Sequence, residues 1–381
     1  MAALAPAPPQ AEDGGMSPTF STMSSRERLS AALAGLPVDR LPWSPNLAYW
    51  WEHSPAAVQD AGQASFLRHI HADPLWRGAP CPVRYQLPPE VVVRRSENGD
   101  RIVEAVETPV GVLTSEQRRS PEGRTSFLTV HPLRSRADFQ VQLWIEQHLR
   151  VVHDPQAAVQ HLAGDGREGL SVGMLLPAMK SAFQRLIENL VGTEEMAYAM
   201  ADFPEEVEVL LAAMVANDER AVRLCAEHGP YDWWITWEDS STQNYSPRQY
   251  QRHIAPQIAA WCRILDGHGR RYMQHACGHV RDLLAPMRAS GISAIESVSP
   301  RPTGNVQLSE VRTALGSRIG IVGGIEPVEF LNMPDARFDA YVEETIAAGG
   351  GGPFVLANSD SCPPGVPVPR FQRVTEIVAR H

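Results

Sequence analysis

The sequence predicts an α/β fold, a (β/α)8 barrel of the TIM type carrying a small antiparallel β-hairpin insertion. Three observations predict it. From about residue 136 onward, helical stretches alternate with short apolar runs: GLSVGMLL (169–176), YDWWITW (231–237), RYMQHAC (271–277), GISAIES (291–297), RIGIVGG (318–324) and GPFVLAN (352–358). Alternating units of this length imply parallel strands joined by crossover helices. One or two further strands within residues 40–75 bring the total to the eight that a closed barrel needs. No G-x-G-x-x-G follows a strand, so a doubly wound nucleotide-binding sheet lacks its phosphate loop.

Along the chain, residues 1–24 are rich in Ala, Pro, Gly and Ser without periodicity and read as a disordered leader. Residues 25–381 read as one domain. It opens with a short helix, SRERLSAALAG, ended by Gly35. The turn LPVDRLP leads into an extended segment from Pro42 to Asn46. Between Glu90 and Arg119, VVVRRSENGDRIVEAVETPVGVLTSEQRR places β-rich runs around Asn98-Gly99, a hairpin signal. It predicts an antiparallel insertion over about 90–120. A long helix is expected from Pro204 to Gly229.

Composition limits the function. The chain has 381 residues, 43% hydrophobic and 20% charged, ordinary for a globular protein with a large core. Its net charge of −10 argues against nucleic acid as the main partner, because phosphate binding needs a basic surface. Lys180 is the single lysine, which weakens any Schiff-base mechanism; it reads as a helix surface residue. No apolar run reaches the roughly eighteen residues of a membrane span. The start lacks a basic n-region and an apolar h-region. With five scattered cysteines (Cys81, Cys225, Cys262, Cys277, Cys362), a reducing cytoplasm is expected, where such thiols serve metal or catalysis more often than disulfides.

The chemistry concentrates at the ends of three successive predicted strands. RYMQ runs into His275-Ala276-Cys277, SAI into Glu296, and FVLANSDS into Cys362. In a (β/α)8 barrel all strands deliver their C-terminal ends to one face. An imidazole, two thiolates and a carboxylate make a tetrahedral set for Zn²⁺, and the two-residue period of a strand puts 275 and 277 on one side. The spacing alone leaves the alternative open, ordinary buried cysteines and a hydrogen-bonded histidine.

Several longer stretches carry a resemblance: SSRERLSAALAGLPVDRLP, ETPVGVL, SPRQYQRHIAPQI, HACGHVRDLLAPMRASGISAIES, GGIEP and GGPFVLANSDSCPPGVP. From about Ser25 to the end the chain resembles the uroporphyrinogen decarboxylase superfamily, which implies a (β/α)8 barrel with its site at the C-terminal face. True decarboxylases carry an M-R-Q-A-G-R loop after the first strand that grips porphyrin carboxylates. Here the stretch reads NLAYWWEHSP, with no arginine. The H-x-C…C pattern is similar to the zinc-dependent methylcobamide:thiol (coenzyme M type) methyltransferases, which implies His275, Cys277 and Cys362 as zinc ligands. SAIES resembles the strand of cobalamin-independent methionine synthase that supplies a ligand glutamate, which implies Glu296 as the fourth.

The resemblance implies a zinc-dependent methyltransferase moving a methyl group between methylcobalamin, carried by a partner corrinoid protein, and a small thiol or folate. Alternatives are a demethylase that takes a methyl group from an O-, N- or S-methyl substrate to cobalamin, a decarboxylase, and a non-catalytic tetrapyrrole-binding protein. The family contains dimers, so a homodimer belongs to the expectation. Glu238 and Asp239, after another strand, are expected to bind substrate or handle protons, or else to cap a helix with Ser240 and Ser241. His279 is a candidate donor behind the metal. Tyr49, Trp50, Trp51, Trp234 and Trp237 are expected to wall a pocket. Asp73 aligns roughly with an acidic position of the family.

Overall fold

The computed structural model describes residues 22–121 and 125–381; the expected leader lies, as far as residue 21, outside the described residues. The first helix, Ser25–Leu33, starts with a capping box: the Ser24 hydroxyl accepts from the Glu27 N–H and the Glu27 carboxylate accepts from the Ser24 N–H. It ends where Gly35 takes a positive φ of 70°.

The described residues then build thirteen strands. β1 (Leu75–Ala79) belongs to the barrel; β2 (Val83–Gln86) pairs antiparallel with β7 (Arg150–His153). β3 (Val92–Asn98), β4 (Arg101–Thr108), β5 (Gly111–Arg119) and β6 (Ser126–Val130) form a separate antiparallel sheet. In place of a hairpin over about 90–120, the insertion is a four-stranded sheet that runs on to Val130. Asn98 pairs with Arg101, and Gly99, at a φ of 61°, supplies the left-handed turn that a two-residue hairpin requires.

β8 (Leu170–Met174), β9 (Trp233–Thr236), β10 (Arg271–Ala276), β11 (Ala294–Ser297), β12 (Gly320–Ile325) and β13 (Phe354–Asn358) follow β1 side by side, all parallel. Residues 42–44 join the two edges. Ser44 N donates to Leu356 O at 2.9 Å and Leu356 N to Pro42 O at 3.0 Å, while on the other side Asp73 N donates to Trp43 O at 2.7 Å. With this segment in the eighth position the two edges of the seven-stranded sheet come together; β1 begins where the expected stretch of residues 40–75 ends.

Alternate residues of these strands face inward. Leu75, Val172, Ile235, Met273, Ala294, Val322 and Val355 form one apolar cluster, which Leu29, Ala32 and Leu33 of the first helix join. The helix Pro204–His228 packs on the outside, burying Val207, Leu210, Leu211, Met214, Ala221, Val222 and Cys225 at the spacing of one helical face. Among the described residues no helix is long and apolar enough to cross a membrane.

The helical layer also holds a buried polar network. Asp218 accepts from Arg185 Nη2 at 2.8 Å, Tyr85 OH at 2.7 Å and Gln257 Nε2 at 2.7 Å. Burial pushes its carboxyl up to about 6, even against the pull of Arg185. Deleting one partner of such a pair strands the other charge without compensation. Asp218→Ala is therefore expected to destabilise the fold by ~3–5 kcal/mol, read as a fall in the urea midpoint; an unchanged midpoint would show that Arg185 needs no anion.

Candidate metal centre

One step above the apolar cluster, the barrel interior turns charged. Met273 faces inward, so His275 and Cys277 follow on the same side of the chain. Strand register sets Glu296 of β11 beside His275 of β10, and Glu296 Oε2 lies 2.5 Å from His275 Nδ1. Arg77, two residues after the inward-facing Leu75, reaches across and places Nε 3.0 Å from Glu296 Oε1. Its Nη2 donates to Ser44 O at 2.9 Å.

On the other side of the ring, His275 Nε2 lies 3.7 Å from Asp239 Oδ1, and the Cys277 thiol donates to the same oxygen at 3.5 Å. The donor atoms of Asp239, His275 and Cys277 all lie within 4.8 Å of one another. No other group of three or more His, Cys, Asp or Glu donors among the described residues is gathered this way. One nitrogen, one sulfur and one oxygen suit Zn²⁺, and three protein ligands leave a coordination position open, as catalytic zinc sites do.

Charge holds the group together. Burial disfavours the imidazolium of His275, but Glu296 and Cys277 outweigh it and hold the ring protonated well above its ordinary range. Burial raises the Cys277 thiol in spite of His275. Burial also opposes ionisation of Asp239, yet Lys180 and His275 bring its carboxyl below the usual range. Both His275 and Cys277 must give up protons to hold a metal, so binding here is proton-linked.

Of the four ligands expected from the resemblance, His275 and Cys277 come together. Glu296 touches His275 through Nδ1 and is engaged on its other oxygen by Arg77. Cys362 lies outside the cluster: its thiol is fully buried among apolar residues, and burial alone pushes it far up. The loop after β13 decides this. Asn358 Nδ2 donates to Asn46 O at 2.9 Å and Cys362 N donates to Asn46 O at 2.8 Å, folding the segment back on the chain. Asp360 is the residue it sends toward the cluster, where it acts electrostatically on Cys277 and itself feels His275, Glu296 and Asp239.

The other expectations divide along strand and helix geometry. Asp239 joins the cluster. Glu238 is fully buried, and its two oxygens accept from Ser181 N at 2.6 Å and Ser181 Oγ at 2.7 Å. It therefore anchors the loop before the helix Ala182–Arg185. Trp237 stands perpendicular to the His275 ring, centroids 5.2 Å apart. Trp234 is a correction: it is buried against Tyr231 in the outer core, 5.4 Å between rings. Residues 234 and 237 fall on opposite faces of a strand with period two. Tyr49 sits half exposed on the rim, its N–H donating to Ser361 Oγ at 2.8 Å. Trp50 packs on Phe66 and Phe371, and Trp51 leans on Phe66. Three consecutive residues of the short helix Ala48–Glu52 point in different directions, so Trp50 serves the core.

Lys180 is no surface residue. It is 12% exposed, donates to Trp237 O at 3.0 Å, and pairs with Glu188 at 2.6 Å and with Asp239. Asp73 pairs with Arg28 at 2.5 Å and Arg40 at 2.8 Å, fastening the first helix to the chain entering β1. His279 uses its backbone, N donating to Ser241 Oγ at 3.1 Å and O accepting from Thr242 N at 3.0 Å. Sequence reasoning missed Arg77, Lys180 and Asp360. The inward parity with Leu75 could have flagged Arg77; nothing local flags the other two.

Comparisons with known proteins bear on fold and family. The sequence model of the uroporphyrinogen decarboxylase (URO-D) family matches residues 180–381, more than half of the chain. No curated protein sequence matches the chain significantly. Among solved structures, a methyltransferase from Methanosarcina mazei is similar with a TM-score of 0.60 at 14% identity, covering 94% of this chain and 98% of its own. At that identity the likeness speaks for the fold. A structure from Coccidioides immitis described as a candidate fructose-1,6-biphosphate aldolase is similar over 52% of this chain and 83% of its own, with 15% identity and a TM-score of 0.24, too low to carry an argument.

Thiol accessibility checks the placement of the cysteines. Iodoacetamide on the native, metal-free protein is expected to label Cys277 and the half-buried Cys81, and to spare Cys225, Cys262 and Cys362. Labelling of Cys362 as fast as Cys277, read by peptide mass, would show that the loop after β13 opens.

Proposed function

The chain belongs to the uroporphyrinogen decarboxylase (URO-D) family, and from that premise we propose that it is a zinc-dependent methyltransferase. The observation that carries this reading is the Asp239–His275–Cys277 cluster at the open end of the barrel. A donor set of imidazole, thiolate and carboxylate matches zinc chemistry, and a porphyrin decarboxylation has no use for a thiol beside a histidine there.

In this reading His275 and Cys277 hold the ion and Asp239 is the third donor. Cys362, expected from the resemblance, would have to turn in from its loop to replace Asp239 or join it. Zinc supplies the Lewis acidity that keeps an acceptor thiol deprotonated at neutral pH. The chain's own residues do the rest. Lys180 holds Asp239 in place, Trp237 shields one edge of His275 from water, and Tyr49 stands on the rim where a partner enters. The methyl carrier is a partner corrinoid protein with methylcobalamin, and the acceptor a small thiol or a folate. The same site could run in the opposite direction, from a methylated ether, amine or thioether to cobalt.

Elemental analysis of the native protein and three variants tests the reading. We expect about one zinc per chain in the native protein, lost in Cys277→Ala. Loss in Asp239→Asn with retention in Cys362→Ala assigns the third donor to Asp239; the reverse pattern assigns it to Cys362. A native protein without zinc after anaerobic purification removes the proposal, as does the absence of methyl exchange between free methylcobalamin and any thiol or folate by the zinc-loaded protein.

A further inference from the structure

We propose that Arg77 is a positioning residue of the metal centre: from the wall opposite His275 it clamps Glu296, and Glu296 in turn fixes the His275 ring. The inference rests on the zinc reading above and assigns a role to a residue that reading does not use.

The geometry is that of a rod across the barrel. Counting residues 42–44 as the first barrel strand, Arg77 stands on the second and Glu296 on the sixth, so their side chains meet across the interior from opposite walls. His275 stands on the fifth strand, in register with Glu296. Arg77 is 5% exposed and Glu296 wholly buried, with 3.0 Å between Nε and Oε1. The Arg77 guanidinium is tied at its far end to the backbone oxygen of Ser44, next to the hydrogen bonds that close the barrel. The imidazole Nδ1 meets Oε2 at 2.5 Å. A carboxylate on one ring nitrogen sets the tautomer and rotation of a histidine, and so aims the other nitrogen at a metal. Here the other nitrogen, Nε2, is the one beside Asp239.

A glutamate alone could rotate away or turn its free oxygen on the ion. The Arg77 guanidinium lies 3.0 Å from that oxygen, an ion-pair contact without hydrogen-bond alignment, and its charge draws Oε1 away from the ion, which leaves Oε2 on Nδ1. Arginine suits the task because its planar fork reaches Ser44 and Glu296 from one group, which a lysine ammonium cannot reproduce. The energetic effect passes through Glu296 alone, and that sets this role apart from a plain buried ion pair.

The test measures zinc affinity on the full-length chain by competition with a chromophoric chelator, beside urea unfolding of the metal-free protein. Arg77→Met is expected to weaken zinc binding about 10–100-fold, the usual effect of losing an outer partner of a ligand, and Glu296→Gln similarly. The double variant should bind no more weakly than Glu296→Gln alone, since the two act in series. Arg77→Lys should fall between Arg77→Met and the native protein. A lower urea midpoint with native zinc affinity in Arg77→Met overturns the proposal, as do losses that multiply in the double variant. If Arg77→Met does not fold, native affinity in Arg77→Lys and Glu296→Gln overturns it equally. A native protein that binds no zinc sinks this inference together with the function; native zinc binding with indifferent Arg77 variants sinks this inference alone.

Discussion

Closure of the parallel sheet is the constraint on which the site depends. A sheet with open edges would leave β1 and β13 with unpaired backbone groups. The short stretch 42–44 hydrogen-bonds to Leu356 on one side, and Trp43 O takes the N–H of Asp73 on the other. Once the ring is closed, inward positions on different strands share one lumen, and residues far apart in sequence are forced to the same depth. Asp239, just past the end of β9, and His275 and Glu296 on the adjacent β10 and β11 are neighbours by register, whereas Arg77 on β1 meets Glu296 only because the sheet curls round on itself.

The lumen is graded. The first helix and the lower inward residues make an apolar plug, and directly above it Arg77, Glu296 and His275 form a charged layer. Burying charge is costly unless it is paired, and here Glu296 faces Arg77 at 3.0 Å and His275 at 2.5 Å, although Arg77 Nε and Glu296 Oε1 make no aligned hydrogen bond. Further out, Lys180 serves Glu188 and Asp239. The result is a buried charged base beneath a more exposed rim.

The family model places the chain in its family, and the structural likeness to the methyltransferase from Methanosarcina mazei speaks for the barrel fold. Folds of this kind host many reactions, so activity has to be argued from the site. At the mouth this chain gathers a thiol and an imidazole beside a carboxylate. The only arginine in the charged layer described above is turned inward on Glu296.

Repetition made most of the fold legible. Six apolar runs at β–α spacing lie where strands form, the Asn98-Gly99 signal marks a real hairpin, and the stretch from Pro204 to Gly229 is a helix because its apolar residues recur on one face. The pair His275 and Cys277 was legible for the same reason, since strand parity is local. Parity also shows why Trp234 and Trp237 cannot share a wall. Local rules end at the strand termini. Whether the loop after β13 offers Cys362 or Asp360 depends on hydrogen bonds to Asn46, more than three hundred residues away by number. That Lys180 sits half-buried between two carboxylates depends on where Glu188 and Asp239 meet it. The sequence by itself thus determined the strands, their parity and the two donors that one strand presents. Only the tertiary structure decided that Asp239 and its supporting charges face them, because loop paths and cross-lumen pairs are set by contacts with no local signature.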